Sequence, residues 1–275
     1  MNKQQELEFA GYGFLSNLLT KLHKLLSQPI NKLAKWAERL DFEQYKMQFG
    51  ERDSDIYIVT YPKSGTTVMQ MILYQLTTNG SMNFNHIYEV SPWIRNASFL
   101  KQKPVTDLPS PRIIKSHDSY SVFGKETKGK FIYVYRNGMD VAVSLYHQNK
   151  NYNNSKLDFD KFLNTGFLKK KPWIKHAKAW LANKKKLPVL YIRYEDLIEN
   201  KASEIDRIIE FCGLEVSEEA KQRAIKRSSF EFMKRHEDKF GEQPKESKKV
   251  FRFHPIKVKR NSIFTFLFVN ILSPS

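Results

Sequence analysis

A chain of 275 residues, 41% of them hydrophobic, can bury a sizeable core, which excludes disorder for the bulk of the molecule. Lysine and arginine number 46 against 29 acids; the net charge of +17 points to an anionic partner such as a nucleotide, a nucleic acid or an acidic membrane. The single cysteine, Cys212, excludes an internal disulfide and suits a reducing, cytoplasmic setting, and no cysteine–histidine cluster has metal-ligand spacing.

Residues 13–40 carry Phe14, Leu15, Leu18, Leu19, Leu22, Leu25 and Leu26 at spacings of three and four, with Lys21, Lys24, Lys32 and Lys35 around them. This predicts a basic amphipathic helical segment divided by Pro29. Such a segment either packs on its own domain or lies peripherally on an acidic membrane. No apolar stretch with a small-residue cleavage site precedes it, so no signal peptide is expected.

From residue 56 the period changes. Ile56–Tyr61, Arg112–Ser116, Phe131–Tyr135 and Val189–Arg193 are β-branched and aromatic runs, read as buried strands. Between and after them, 66–77, 139–148, 172–185 and 198–212 read as helices, the last stopped by Gly213 and burying Cys212 as a core thiol. Strands alternating with helices predict a central parallel sheet with helices on both faces, whose ligands sit beyond the carboxyl ends of the strands. Ile263–Leu272 is an apolar run too short to span a bilayer as a helix.

The first strand is followed by Tyr61-Pro62-Lys63-Ser64-Gly65-Thr66-Thr67, which then opens a helix. Backbone N–H groups at a helix start lack intrahelical partners, and the helix dipole is positive there. Gly65 lets the backbone approach an anion; Ser64, Thr66 and Thr67 offer hydroxyls, and Lys63 adds a full charge. A capped tight turn would not need lysine, glycine and three hydroxyls together. The lysine precedes the glycine, so this is not a Walker A loop.

This segment resembles the donor loop Y-P-K-S-G-T-T-W of the sulfotransferases that use 3′-phosphoadenosine 5′-phosphosulfate (PAPS). It departs at Val68, where the family often has a tryptophan toward the adenine side. The resemblance covers roughly residues 40–240 and implies a P-loop-type three-layer α/β fold. It also implies PAPS as co-substrate, no metal, and a hydroxyl acceptor that is a small molecule or a lipid.

Tyr135-Arg136-Asn137 through Ser144 is similar to the family's segment for the 3′-phosphate and assigns Arg136 and Ser144 to it; unaided, a strand-end arginine is more often a salt-bridge partner. Lys115-Ser116-His117 is similar to the family's K-T-H, which implies His117 as general base, with Lys115 and Lys63 balancing charge on the transferring group. The family continues Leu-Pro where Asp118-Ser119 stand here. Tyr194, in a Y-E-D segment, and Ser228 and Phe230, in a Ser-Ser-Phe segment, correspond to adenine contacts; core packing is the alternative for each.

The family's glycine-containing R-K-G clamp near the end has no counterpart; Val250–Arg260 supplies cations but no glycine. The implied organisation is an amphipathic segment over 1–45, the sulfotransferase domain over 46–250 and an atypical tail over 251–275. Aromatic residues in 81–105 and 146–172, among them Phe84, Tyr88, Trp93, Phe99, Tyr146, Tyr152 and Phe167, are candidates for an apolar acceptor cavity or ordinary core. Three rival readings follow. A nucleotide kinase would want a strand-end carboxylate for magnesium. A nucleic-acid binder explains the charge but not Lys63–Thr67, so no nucleic-acid partner is expected. A nucleotide-binding protein of the same fold, impaired by the missing clamp, is the third. Acceptor identity and oligomeric state have no signature.

Overall fold

The computed structural model describes residues 50–94, 105–152 and 156–241. The expectations for 1–45, Phe99 and 251–275 lie outside them. Four strands, β1 (Ile56–Thr60), β2 (Ile113–Ser116), β3 (Lys130–Tyr135) and β4 (Val189–Arg193), form a sheet of order β2-β1-β3-β4 in which every pairing is parallel. The register sets Ile56 beside both Ile113 and Lys130, and Tyr133 beside Tyr191.

Strand side chains alternate between two faces of different chemistry. Ile56, Ile58, Ile113, Ile132, Val134 and Ile192 build an aliphatic face. It packs against α1 (Thr66–Thr77) and α5 (Lys201–Cys212), with α4 (Tyr194–Glu199) leading into α5, and α6 (Glu218–Arg227) packs on α1 and α5. Tyr57, Phe131 and Tyr133 build an aromatic face. Tyr57 stacks on Phe131 at 5.0 Å, and Tyr133 stacks on Trp180 of α3 (Pro172–Ala182) at 5.4 Å. Helices therefore cover both faces, as the strand–helix alternation predicts. A smaller cluster joins α2 (Gly138–Tyr152) to the π turn Phe162–Leu168 through Val141, Ala142, Phe167 and Trp173.

At the amino ends of the strands Arg112 donates to both carboxylate oxygens of Asp55 at 2.7 Å, and both side chains are fully buried. The Asp55 carboxylate also accepts from the backbone of Arg52 at 2.8 Å, and Arg112 reaches the Gly50 carbonyl at 2.7 Å. Gly129, at φ 88°, lies so near that a Cβ there would strike the Asp55 carbonyl oxygen, which accepts from Lys130 N.

Three helices differ in extent from the sequence reading, and the one expected over 139–148 spans Gly138–Tyr152. The helix expected to reach 185 ends at Ala182, because Asn183 turns left-handed (φ 38°) and its side chain takes the backbone N–H and carbonyl of Leu187. The helix expected over 198–212 starts earlier, at Tyr194, and breaks at Asn200, which leaves the helical region (φ −123°) and separates α4 from α5. Gly213 does stop α5: its N–H bonds to Glu210 and that of Leu214 to Ile209. Cys212 is half-buried against the aliphatic core, and burial pushes its thiol up to about 12, so it is not a nucleophile at neutral pH. Helices α6 and α7 (Phe230–Arg235) are additions the periodicity did not announce.

Candidate functional site

The site lies at the carboxyl ends of the strands, where β1 has β2 on one side and β3 on the other. Lys63 (φ 68°) and Gly65 (φ 102°) both take left-handed conformations, which bends residues 61–65 into a concave loop at the start of α1. The first helical bond of α1 runs from Met69 N to Gly65 O, so the N–H groups of Thr66, Thr67 and Val68 have no partner within the helix. Gly65 is required twice over: by its φ, and because a Cβ would run into the Tyr194 ring.

Arg136, one residue beyond β3, leans over this loop. Its guanidinium donates to the Lys63 carbonyl at 3.2 Å and lies over the Tyr194 ring at 4.6 Å. It also pairs with Asp140 at 3.9 Å, so the salt-bridge reading of this arginine and its place beside the loop are both realised. The fold thus brings Lys63, Ser64, Gly65, Thr66, Arg136 and Tyr194 together. Ser144 sits half-buried two turns into α2, Ser228 is buried at the end of α6, and Phe230 opens α7 with 42% of its surface exposed.

His117 follows β2 directly. Its Nδ1 lies 2.9 Å from the Thr60 carbonyl oxygen and 3.1 Å from the Thr60 hydroxyl, which meets Thr66 Oγ1 at 2.6 Å. A carbonyl only accepts, so Nδ1 carries the proton and Nε2 keeps its lone pair. Burial foremost, then the Lys115 charge, with smaller effects of His176 and Lys63, hold the imidazole well below the ordinary histidine range. Lys115 is buried, with its ammonium 4.7 Å from the Tyr88 ring centroid and 4.5 Å from that of Trp93, and it donates to the Tyr88 hydroxyl at 2.5 Å. Trp93 reaches this position because residues 92–94 hydrogen-bond to Lys115 on the edge of β2, and its ring meets His117 edge-to-face at 5.3 Å.

Several of these partners could not be read in advance. Thr60 ends a strand and gave no sign that its carbonyl would orient the histidine; Asp118, the neighbour in sequence, instead accepts from Ser116 Oγ at 2.6 Å. His176 Nε2 and Trp180 Nε1 both donate to the Asp118 carbonyl, at 3.0 and 3.2 Å, and His176 Nδ1 accepts from Tyr133 at 3.0 Å. Of the suggested pocket aromatics, Trp93 and Tyr88 adjoin the site, whereas Phe84 packs on Tyr74 and Phe240, and Phe167 belongs to the α2 cluster. Val68, in the family's tryptophan position, is buried in the aliphatic core.

Burial pushes His176 down to about 4, against offsetting bonds to Asp118 and His117. In the unfolded chain it protonates near 6.5, so on acidification the unfolded state takes up the proton first. Folding stability is therefore expected to fall as pH drops from about 6.5 toward 4, and the urea midpoint should be lower at pH 5 than at pH 7. A His176→Phe variant should show a smaller pH-induced drop; an equal drop would refute this source.

A parallel α/β sheet with a concave loop after its first strand and an arginine over that loop defines a P-loop-like α/β class of fold. The chain belongs to the sulfotransferase domain family, whose model matches residues 53–263. It is 37% identical to mouse sulfotransferase 2B1 over 195 residues, which are 66% of this chain and 57% of the relative. To mouse sulfotransferase 1B1 it is 35% identical over 220 residues, 72% of this chain and 71% of the relative. The chain therefore spans little more than half of the first relative's length. Among solved structures it resembles a mouse sulfotransferase, SULT7A1, complexed with PAP (27% identity, TM-score 0.56, covering 68% of this chain and 67% of that one). A retinol dehydratase in complex with androsterone and the inactive cofactor PAP shares the fold (23% identity, TM-score 0.56, covering 68% and 67%).

The residues present fit a nucleotide. Ser64 Oγ and Arg136 Nε are buried polar atoms with no hydrogen-bond partner, and both border the loop whose helix N–H groups are open.

Proposed function

We propose that this chain transfers a sulfuryl group from PAPS to a hydroxyl of a small or lipidic acceptor, with His117 as general base. The observation that carries the reading is the pairing of a fixed, neutral His117, its Nε2 lone pair available, with the cationic loop one strand away. Bound PAPS supplies an activated sulfuryl group on a phosphate leaving oxygen. Lys63, Ser64 and the N–H groups of Thr66 and Thr67 hold its 5′ end. Arg136 and Ser144 take the 3′-phosphate, Arg136 exchanging its long contact with Asp140 for paired donation to oxygens. Tyr194, Ser228 and the exposed Phe230 face the adenine. His117 Nε2 takes the acceptor's hydroxyl proton, while Lys63 and Lys115 balance the charge that develops beside it. Trp93 gives the acceptor an apolar wall next to the base. Positioning and electrostatics carry the acceleration, as in phosphoryl transfer. The organisation that goes with this reading is a domain over 46–250 with a helical segment before it and an atypical tail after it, in the cytoplasm.

The test is transfer of labelled sulfate from the donor to a panel of phenol, steroid and glycolipid acceptors, with calorimetry of adenosine 3′,5′-bisphosphate alongside. Turnover on at least one acceptor together with nucleotide binding is expected. Binding without turnover on any acceptor would favour the impaired nucleotide-binding protein, and absence of binding would overturn both.

A further inference from the structure

From Lys161 to Ile192 the sequence contains nine lysines and no aspartate or glutamate. The fold places three of these lysines on one helix face and leaves four more exposed on the segments that flank it. Helix α3 turns its aromatic side inward: Trp173, His176, Ala177 and Trp180 are buried. Its outer side shows Lys171, Lys175 and Lys178, at the spacing of one helical face. Lys169 and Lys170 precede the helix in sequence and Lys184 and Lys186 follow it; all seven are exposed. Among the described residues none of the seven makes an ion pair. Lys185 is the exception in the run, its ammonium folded back onto the carbonyls of Phe123 and Ser121.

A face that serves only solubility mixes signs, and α6 of this same chain does so: Glu218 and Glu219 share it with Lys221, which pairs with Asp206 at 2.5 Å. The α3 face has a single sign, and its lysines repel one another with no carboxylate among them. The face also lacks the means to read nucleic acid. It offers no arginine, and both tryptophans of the helix, which could stack bases, point into the core. A row of long, mobile ammonium groups over about 16 Å of helix matches a plane of anionic headgroups.

We propose that the outer face of α3 is a docking surface for a membrane bearing anionic lipid, separate from the 13–40 segment and independent of the transfer reaction. The helix is anchored to the segment carrying the proposed base, since His176 and Trp180 both hold the Asp118 carbonyl. Docking there brings a headgroup plane within about one helix diameter of that segment.

The experiment is vesicle flotation of the full chain. Phosphatidylcholine vesicles containing phosphatidylserine should bind it, pure phosphatidylcholine vesicles should not, and raised salt should release it. The K171E/K175E/K178E variant should lose at least about tenfold in partitioning, with K171Q/K175Q/K178Q between it and the parent. Thermal midpoint and adenosine 3′,5′-bisphosphate affinity should be unchanged in both. The proposal is overturned if the charge-reversed variant floats like the parent. Binding lost only on deleting residues 13–40, or a DNA duplex bound more tightly than the anionic vesicles at the same salt, would also overturn it.

Discussion

His117→Ala is expected to lower turnover by about 10²- to 10⁴-fold while leaving the affinity for adenosine 3′,5′-bisphosphate unchanged. The separation follows from the architecture: the histidine follows β2, whereas the loop and the arginine over it follow β1 and β3. The Thr60 carbonyl fixes the proton on Nδ1, so the base needs no rearrangement before it acts. Because burial and the Lys115 and Lys63 charges hold the ring's pKa well below 6.5, the rate should stay level as pH falls through 6.5 and decline only in more acid solution. Lys115→Gln removes one of those charges and should move the acid limb upward, toward the ordinary histidine range. Undiminished turnover in the alanine variant, at any pH, would dismiss His117 as the base.

The second large effect concerns the opposite end of the sheet. Asp55→Ala is expected to destabilise the fold by about 3–5 kcal/mol, read as a lower urea midpoint with the slope retained. The substitution leaves the Arg112 guanidinium buried without its carboxylate, and leaves the Arg52 N–H without its acceptor. Removing both charges, as in Asp55→Leu with Arg112→Met, should recover much of the loss, because the remaining site is apolar and the desolvation cost of the pair is gone. A single variant costing under about 1 kcal/mol would mean that water reaches the guanidinium.

Strands and loop were legible in the sequence because their signals are local. Val189–Arg193 and the helix Thr66–Thr77 fall where their patterns place them, and β1, β2 and β3 shift by one residue at an end. Helix α6 was invisible for a physical reason: its buried positions are Ala220 and Ala224, and the rest of Glu218–Arg227 is mostly charged, so no apolar stripe shows. The break at Asn200 was hidden because Ile198 continues the apolar spacing although it is exposed in the fold. At the site, residue types announced Lys63 and Gly65, whereas the assignment of Arg136 rests only on the family resemblance. The contacts that orient His117 and Lys115 come from Thr60, Tyr88 and Trp93, whose proximity only the parallel register and the edge pairing of residues 92–94 create.

The strand order also constrains how the molecule is made. Every neighbour in this sheet arrives by a long crossover: Ile56 meets Lys130, and Phe131 waits for Val189. On a ribosome the Lys63 loop emerges well before Arg136 can lean on it, and Tyr194, against which Gly65 closes, emerges later still. A chain cut short before β4 would therefore lack the Tyr194 ring against Gly65 and leave an unpaired edge of β3. An exposed strand edge of that kind is a template for aggregation, so such a fragment is expected to depend on chaperones.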